Sequence, residues 1–319
     1  MTIDYLRVSV TDRCNLRCVY CHPLDDRALI EREDMLSFEE IYRIVRLFAQ
    51  CGIKKVRLTG GEPLLRNDIV QLVSGLTALV GIQELSVTTN GVFLETLAAE
   101  LKAAGMRRVN ISVDSVERES YKRITGFDLL PRVTKGIYKA IEVGLTPVKI
   151  NSVIIKGAND SEKQITALAR MSVCLPVAVR FVEYCPTSKY VKPASDYVPN
   201  SKVRKIIERE FGPISSVSVS NGDGPAVYFK IRNSAGVIGF ISGRSSTFCH
   251  ACTRLRLTSD GKVKPCLYSA HHYDLKELIR SGADDEAVLV LLRTILRKKG
   301  SYTRLNSRAG EFSMQNIGG

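Results

Sequence analysis

The sequence predicts an α/β fold: a partial (β/α)6 TIM-like barrel followed by a smaller C-terminal α+β domain. Three observations predict it. Strand-like and helical patterns alternate through the first two-thirds of the chain, which argues for a parallel sheet. Polar side chains recur at every second position of otherwise apolar strands, so they share one face. After Phe211-Gly212-Pro213 the long β/α rhythm gives way to short strands and turns. The expected domains are therefore 1–213 and 214–319.

The elements follow in order. Tyr5–Val10 reads as the first strand, and Ser37–Gln50 as the first helix. Ser37 and Glu40 form a capping box, and Gly52 stops the helix. Lys55–Thr59 is the second strand and Asp68–Leu79 its helix. Glu84–Thr88 and Leu94–Ala103 follow, with Gly105 as the stop. Arg108–Asp114 and Pro131–Val143 come next, closed by Gly144. Pro147–Ile154, Ser161–Met171 and Val177–Glu183 complete the six units. Arg7/Ser9, Arg57/Thr59, Ser112/Asp114, Lys149/Asn151 and Arg180 carry the polar phase. A face lined by such groups is a solvated lumen rather than a packed core, with its site at the C-terminal strand ends. Beyond Gly212, strands are expected at Ala226–Arg232, Gly236–Ile241, Arg254–Thr258 and Lys262–Pro265, with a hairpin turn at Ser259-Asp260-Gly261. Helices are expected at Asp274–Ile279 and Asp285–Arg297, before a polar tail ending Gly318-Gly319.

Composition bounds the function. The chain has 319 residues, 45% of them hydrophobic, enough for a sizeable core. No apolar run reaches the length of a membrane span, and the N-terminus has no signal-peptide anatomy. The expected setting is a reducing cytoplasm, where clustered cysteines mean metal chemistry rather than disulfides. The net charge of +13 calls for an anionic partner, either nucleic acid or a polyphosphate. No run of five or more Lys/Arg occurs. Cys51 and Cys174 read as small buried hydrophobes.

Six of the nine cysteines carry the chemistry. Cys14, Cys18 and Cys21 lie in one loop after the first strand, and Cys249, Cys252 and Cys266 near the end. Each set offers three thiolates, whereas a structural zinc site or a closed cluster normally takes four protein ligands. Two incomplete sets suggest two four-iron clusters, each with one iron open to a small molecule. The competing reading of the second set is zinc, with His250 or His271 as fourth ligand, in a basic nucleic-acid module.

Thr11-Asp-Arg-Cys-Asn-Leu-Arg-Cys-Val-Tyr-Cys resembles the signature loop of the radical S-adenosylmethionine enzymes. Gly60-Gly61-Glu62-Pro63, Thr88-Thr89-Asn90-Gly91 and Ser112-Val113-Asp114 fall at successive strand ends, as in that superfamily. The resemblance implies that Tyr20, Gly61, Ser112 and Cys185 bind S-adenosylmethionine, with glycine admitting close backbone approach. Cys249-His-Ala-Cys252-Thr-Arg254-Leu-Arg256 with Cys266 further resembles the GTP 3′,8-cyclase family of molybdenum cofactor biosynthesis. That resemblance implies two [4Fe-4S] clusters, and GTP held by Arg7, Arg57, Thr88, Lys149, Arg254 and Arg256. Guanidinium groups suit bidentate phosphate contacts. It also implies an external one-electron donor and a downstream cyclic pyranopterin monophosphate synthase. Neither nucleic acid nor membrane is expected as a partner, and a homodimer is left open. A radical enzyme acting on a peptide is the nearest rival. Three departures from the family pattern stand out: His22 and Cys185 each replace a common methionine, and the chain begins near its first strand. The Gly318-Gly319 tail is expected to enter the barrel.

Overall fold

The computed structural model describes residues 3–21, 29–186, 196–219, 224–246 and 249–302. The Gly318-Gly319 tail and His22 lie outside them. Six strands, β1 (Tyr5–Ser9), β2 (Lys55–Thr59), β3 (Glu84–Thr89), β4 (Arg108–Ser112), β5 (Val148–Ile154) and β6 (Val177–Glu183), pair in sequence order. Every neighbouring pair among them is parallel. The connecting helices are α1 (Phe38–Gln50), α2 (Ile69–Thr77), α3 (Leu94–Ala103), α4 (Arg118–Thr125), α5 (Leu130–Glu142) and α6 (Glu162–Cys174). This is the expected (β/α)6 arrangement.

Helix α1 shows how the local sequence specifies an element. Ser37 Oγ accepts from Glu40 N at 3.2 Å while Glu40 Oε2 accepts from Ser37 N at 2.7 Å, so the capping box closes in both directions. Ile41, Ile44, Val45 and Phe48 fall at helical spacing and are fully buried. Gly52 ends the turn at φ +96°, a conformation that glycine tolerates at no steric cost.

After α7 (Asn200–Phe211) come β7 (Ser215–Ser216), β8 (Val227–Lys230), β9 (Val237–Ile241), β10 (Arg254–Leu257), β11 (Lys262–Lys264) and β12 (Tyr273–Asp274), then α8 (Leu275–Arg280) and α9 (Asp285–Lys298). These strands continue the same sheet at both edges. Strand β10 pairs parallel with β1, and β9 pairs parallel with β6. The full order is β12-β11-β10-β1-β2-β3-β4-β5-β6-β9-β8-β7. Helix α9 returns to α1, where Asp285 meets Arg43 Nε at 2.9 Å and Arg46 Nη2 at 2.6 Å.

Two helices went unpredicted. Helix α4 reads Arg-Glu-Ser-Tyr-Lys-Arg-Ile-Thr, and its buried face is made of Ser120, Tyr121, Ile124 and Thr125, too polar to register as an amphipathic stripe. Helix α7 does carry a legible stripe, with Val203, Ile206 and Ile207 buried. One cysteine also needs correction. Cys174 is exposed, not buried. It ends α6, whose buried face is Ile165, Leu168, Ala169 and Ser172; two residues past Ser172, a 3.6-residue helix has turned about 200°. Cys51 is half-buried at the end of α1.

Candidate active site between two cysteine triads

Strand register brings the polar phase together. Arg256, Arg7, Arg57, Ser86 and Arg108 lie in one row across β10, β1, β2, β3 and β4. Thr88, Asn110 and Lys149 form the next, and Ser112, Asn151 and Arg180 the one after. Arg7, Arg57, Lys149, Arg180, Arg254 and Arg256 all line one cavity of about 240 Å³, which Tyr20 and Cys185 also border. Burial, then Arg108 and Arg180, pushes the Lys149 ammonium down to about 7. Burial likewise brings Arg57 and Arg256 to about 10 and lowers Arg7, where Arg256 adds repulsion.

Among the described residues, Glu183 is the only carboxylate on this wall, and it is committed elsewhere. It accepts from Asn200 N at 3.0 Å, Arg244 N at 3.0 Å, Ser245 N at 2.8 Å and Ser245 Oγ at 2.6 Å. It thereby ties β6 to the start of α7 and to the segment after β9. Tyr5 Oη, Arg108 Nη1, Asn151 Oδ1 and Arg180 Nε are buried on the same wall and have no hydrogen-bond partner among the described residues. Since buried polar atoms are nearly always paired, the wall is complementary to a polar, anionic ligand.

The first triad is held from two sides. Gly61 N donates to Thr11 O and Glu62 N to Arg13 O, both at 2.7 Å. A Cβ on Gly61 would overlap the Arg13 carbonyl. The close approach that this glycine permits is thus, within the protein, an approach to the cysteine loop itself. On the other side, Arg17 N donates to Thr125 O at 2.8 Å and Val19 N to Ile124 O at 3.0 Å, so the unpredicted α4 is the loop's second support. Glu62 accepts from Thr89 Oγ1 and Asn90 N, each at 2.7 Å. Asn90 in turn donates to Asn15 Oδ1 at 2.7 Å. Burial raises the Glu62 carboxyl to about 7 despite these donors. Tyr20 Oη donates to Asp114 Oδ2 at 2.7 Å, while Asp114 Oδ1 accepts from Val153 N at 2.8 Å.

The thiols differ between the triads. Burial pushes Cys14 up to about 11 and Cys21 to about 12, and Cys18 well above its ordinary value. Such thiols become thiolates against a metal, whose charge replaces the lost solvation. Burial is the largest influence on Cys252 too, but Arg254, Lys299, a backbone hydrogen bond from Arg254 and Arg256 together outweigh it and hold that thiol below its ordinary value. Cys249, Cys252 and Cys266 line a second cavity of about 120 Å³, which shares Arg254 and Arg256 with the first. His250 lines a different cavity, beside Asn200 and Phe240. His271 stacks on Tyr302. Neither histidine lines the cavity that holds the three cysteines, where the zinc reading needs a fourth ligand. Among the described residues, no three His, Cys, Asp or Glu side chains converge on a single ion. A four-iron cluster is larger than one ion and holds its thiolates further apart.

The triads occupy opposite ends of the lumen. The first follows the C-terminal end of β1, and Cys252 precedes the N-terminal end of β10. Tyr5 pairs with Arg254 and Val8 with Leu257, so these strands run together. At about 3.3 Å per residue, they separate the two ends by roughly 15 Å. Three proposed ligand residues stand off the cavity wall: Gly61, Ser112 and Thr88. The Thr88 hydroxyl is buried without a partner among the described residues.

This barrel, cysteine loop and cationic lumen define a radical S-adenosylmethionine protein, and the Radical SAM superfamily model matches residues 8–169. The Molybdenum Cofactor Synthesis C model matches residues 177–305. A GTP 3′,8-cyclase of Pelotomaculum thermopropionicum is 41% identical over 99% of this chain and 98% of its own. Another from Moorella thermoacetica is 42% identical over 99% and 98%. The chain belongs to the GTP 3′,8-cyclase family. Among solved structures, SuiB of Streptococcus suis with S-adenosylmethionine bound matches at a TM-score of 0.65. It is 18% identical, over 92% of this chain and 68% of that one. The AdoMet-bound anSMEcpe matches at 0.51, with 17% identity over 65% and 60%. Both likenesses are of fold. Among the described residues, no helix is long and apolar enough to cross a membrane.

Proposed function

We propose that this chain converts GTP to (8S)-3′,8-cyclo-7,8-dihydroguanosine 5′-triphosphate, by abstraction of the C3′ hydrogen and attack of C3′ on C8. The observation that carries the reading is the cation-lined lumen between two three-cysteine sets at opposite strand ends. Cys14, Cys18 and Cys21 hold one [4Fe-4S] cluster, and Cys249, Cys252 and Cys266 hold the other. The first cluster would supply the electron for reductive cleavage of S-adenosylmethionine, and the second, held by three thiolates, would offer a site to the purine of GTP. The protein positions the reactants and excludes water.

Tyr20, fixed by Asp114, flanks S-adenosylmethionine together with the Gly61 backbone, Ser112 and Cys185. Arg7, Arg57, Thr88, Lys149, Arg254 and Arg256 bind GTP, and the five cations offset the triphosphate charge. Residues 1–213 supply the barrel and 214–319 the second cluster. An external donor supplies the electron, a cyclic pyranopterin monophosphate synthase consumes the product, and the setting is a reducing cytoplasm.

The test is anaerobic reconstitution followed by turnover with S-adenosylmethionine, GTP and a chemical reductant. The expected result is about eight irons per chain, with 5′-deoxyadenosine and the cyclised nucleotide formed together. Cys252→Ala should retain the first cluster and lose the nucleotide product. Stoichiometric zinc without iron would sink the reading.

A further inference from the structure

Arg108 was not among the residues expected to bind substrate. It opens β4 and is 6% exposed. Its Nε and Nη2 both donate to Glu84 Oε1 on the adjacent strand β3, Nε at 2.7 Å. One edge of the guanidinium is therefore fixed. The remaining nitrogen, Nη1, is buried and has no hydrogen-bond partner among the described residues, and Arg108 belongs to the wall of the main cavity. A buried charged donor left unmade is costly, so this nitrogen points to a partner beyond the described residues, and its place on the cavity wall makes a bound ligand the natural one.

The surroundings say which chemistry. Arg57, Lys149 and Arg180 feel the charge of Arg108 across the lumen, from β2, β5 and β6. A purine edge or a ribose hydroxyl would relieve one donor. A phosphate chain accepts from several cations at once and removes their mutual repulsion.

We propose that Arg108 is a further substrate-binding residue, donating from Nη1 to a β- or γ-phosphate oxygen of the nucleotide, with Glu84 as its positioning partner. The proposal rests on the nucleotide reading above and deepens it. Glu84 sets the plane of the guanidinium before substrate arrives, so little ordering is left for binding. An arginine already using two nitrogens in an ion pair is easily taken for a structural one. The unmade third nitrogen separates the two roles.

The test is the affinity of anaerobic, iron-loaded protein for GTP, GMP and inorganic triphosphate, by equilibrium dialysis, in wild type, Arg108→Lys and Glu84→Gln. Removing one charge-assisted hydrogen bond corresponds to about a tenfold to hundredfold weakening. Arg108→Lys should lose that much for GTP and for triphosphate while GMP changes little, so the GTP-to-GMP preference collapses. Its iron content and S-adenosylmethionine affinity should match wild type. Glu84→Gln, which keeps the cation but loosens its orientation, should lose several-fold in the same direction. A wild-type preference in a folded, iron-loaded Arg108→Lys overturns the proposal, as does an equal loss for GTP and GMP, which would place Arg108 on the base, the ribose or the α-phosphate. If Arg108→Lys does not load iron, Glu84→Gln decides by the same ratio. Wild type that binds neither GTP nor triphosphate removes the nucleotide reading itself, and this proposal with it.

Discussion

If Lys149 binds the nucleotide as proposed, binding should depend on pH, and the sign follows from its position. It is 3% exposed, and burial, Arg108, Arg180 and Arg57 lower its ammonium from 10.5 to about 7. At about 1.4 kcal/mol per tenfold, the folded lumen disfavours the charged form by up to roughly 5 kcal/mol. In the folded protein Lys149 is neutral above about 7, whereas in the unfolded chain it stays charged to about 10.5. Between these values the unfolded chain binds more protons, so stability rises with pH through that window. Below about 7 both states are charged and the cost is fully present. A phosphate beside the ammonium reverses its preference and raises its pKa in the complex. Binding at pH 8 must then take up a proton, about 0.9 per site if the free group titrates at 7. Affinity should fall as pH rises above 7, by up to about tenfold per pH unit. Calorimetry of GTP binding at pH 8 in buffers of different ionisation enthalpy measures the uptake. Lys149→Met should bind more weakly with the uptake abolished. Equal uptake in wild type and Lys149→Met would show that the proton goes elsewhere, and the reasoning would fail.

Two further predictions concern the first triad. Gly61→Ala sets a methyl group against the Arg13 carbonyl and loosens two backbone bonds of 2.7 Å. Overpacking costs about 1–3 kcal/mol and each bond about 1, so we expect destabilisation near 3 kcal/mol and reduced iron loading. An unchanged urea midpoint and iron content would refute this. Tyr20→Phe removes the donor 2.7 Å from Asp114 and leaves the carboxylate with Val153 N. It should cost about 1–2 kcal/mol and weaken S-adenosylmethionine binding without affecting GTP affinity; an unaltered S-adenosylmethionine dissociation constant would show that the clamp does not reach the cofactor.

Most of the barrel was legible because its signals are local. Ser37 and Glu40 specify a helix start by themselves, and Gly52, Gly105 and Gly144 end helices at positive φ. The period-2 phase of Arg7, Arg57 and Lys149 identified a lumen before any register was known. What was not legible depends on contacts far apart in the chain. That β10 joins β1 while β9 joins β6 follows from how the later residues wrap the sheet, and no local pattern encodes it. Helix α4 shows the same limit from the other direction. Its buried face is two apolar residues beside a serine and a threonine, because part of its role is to offer the carbonyls of Ile124 and Thr125 to the cysteine loop. Backbone carbonyls leave no trace in side-chain pattern.

Arg108 marks where periodicity stops discriminating. It is in phase with Asn110 and Ser112, so its face was available from the sequence. Its depth was not. A strand-opening arginine is more often solvated than enclosed, and the difference here is Glu84, which lies 24 residues earlier and is brought beside it by the β3–β4 pairing. The converse holds for Thr88, Ser112 and Gly61, which motif and strand position placed at the site but which do not line the main cavity. Gly61 supports the cysteine loop instead, and Ser112 extends the row that holds Asn151 and Arg180. Phase thus assigns a face and register assigns a depth. Only the pairing partner decides whether a polar group on that face is already satisfied or still has a nitrogen to offer.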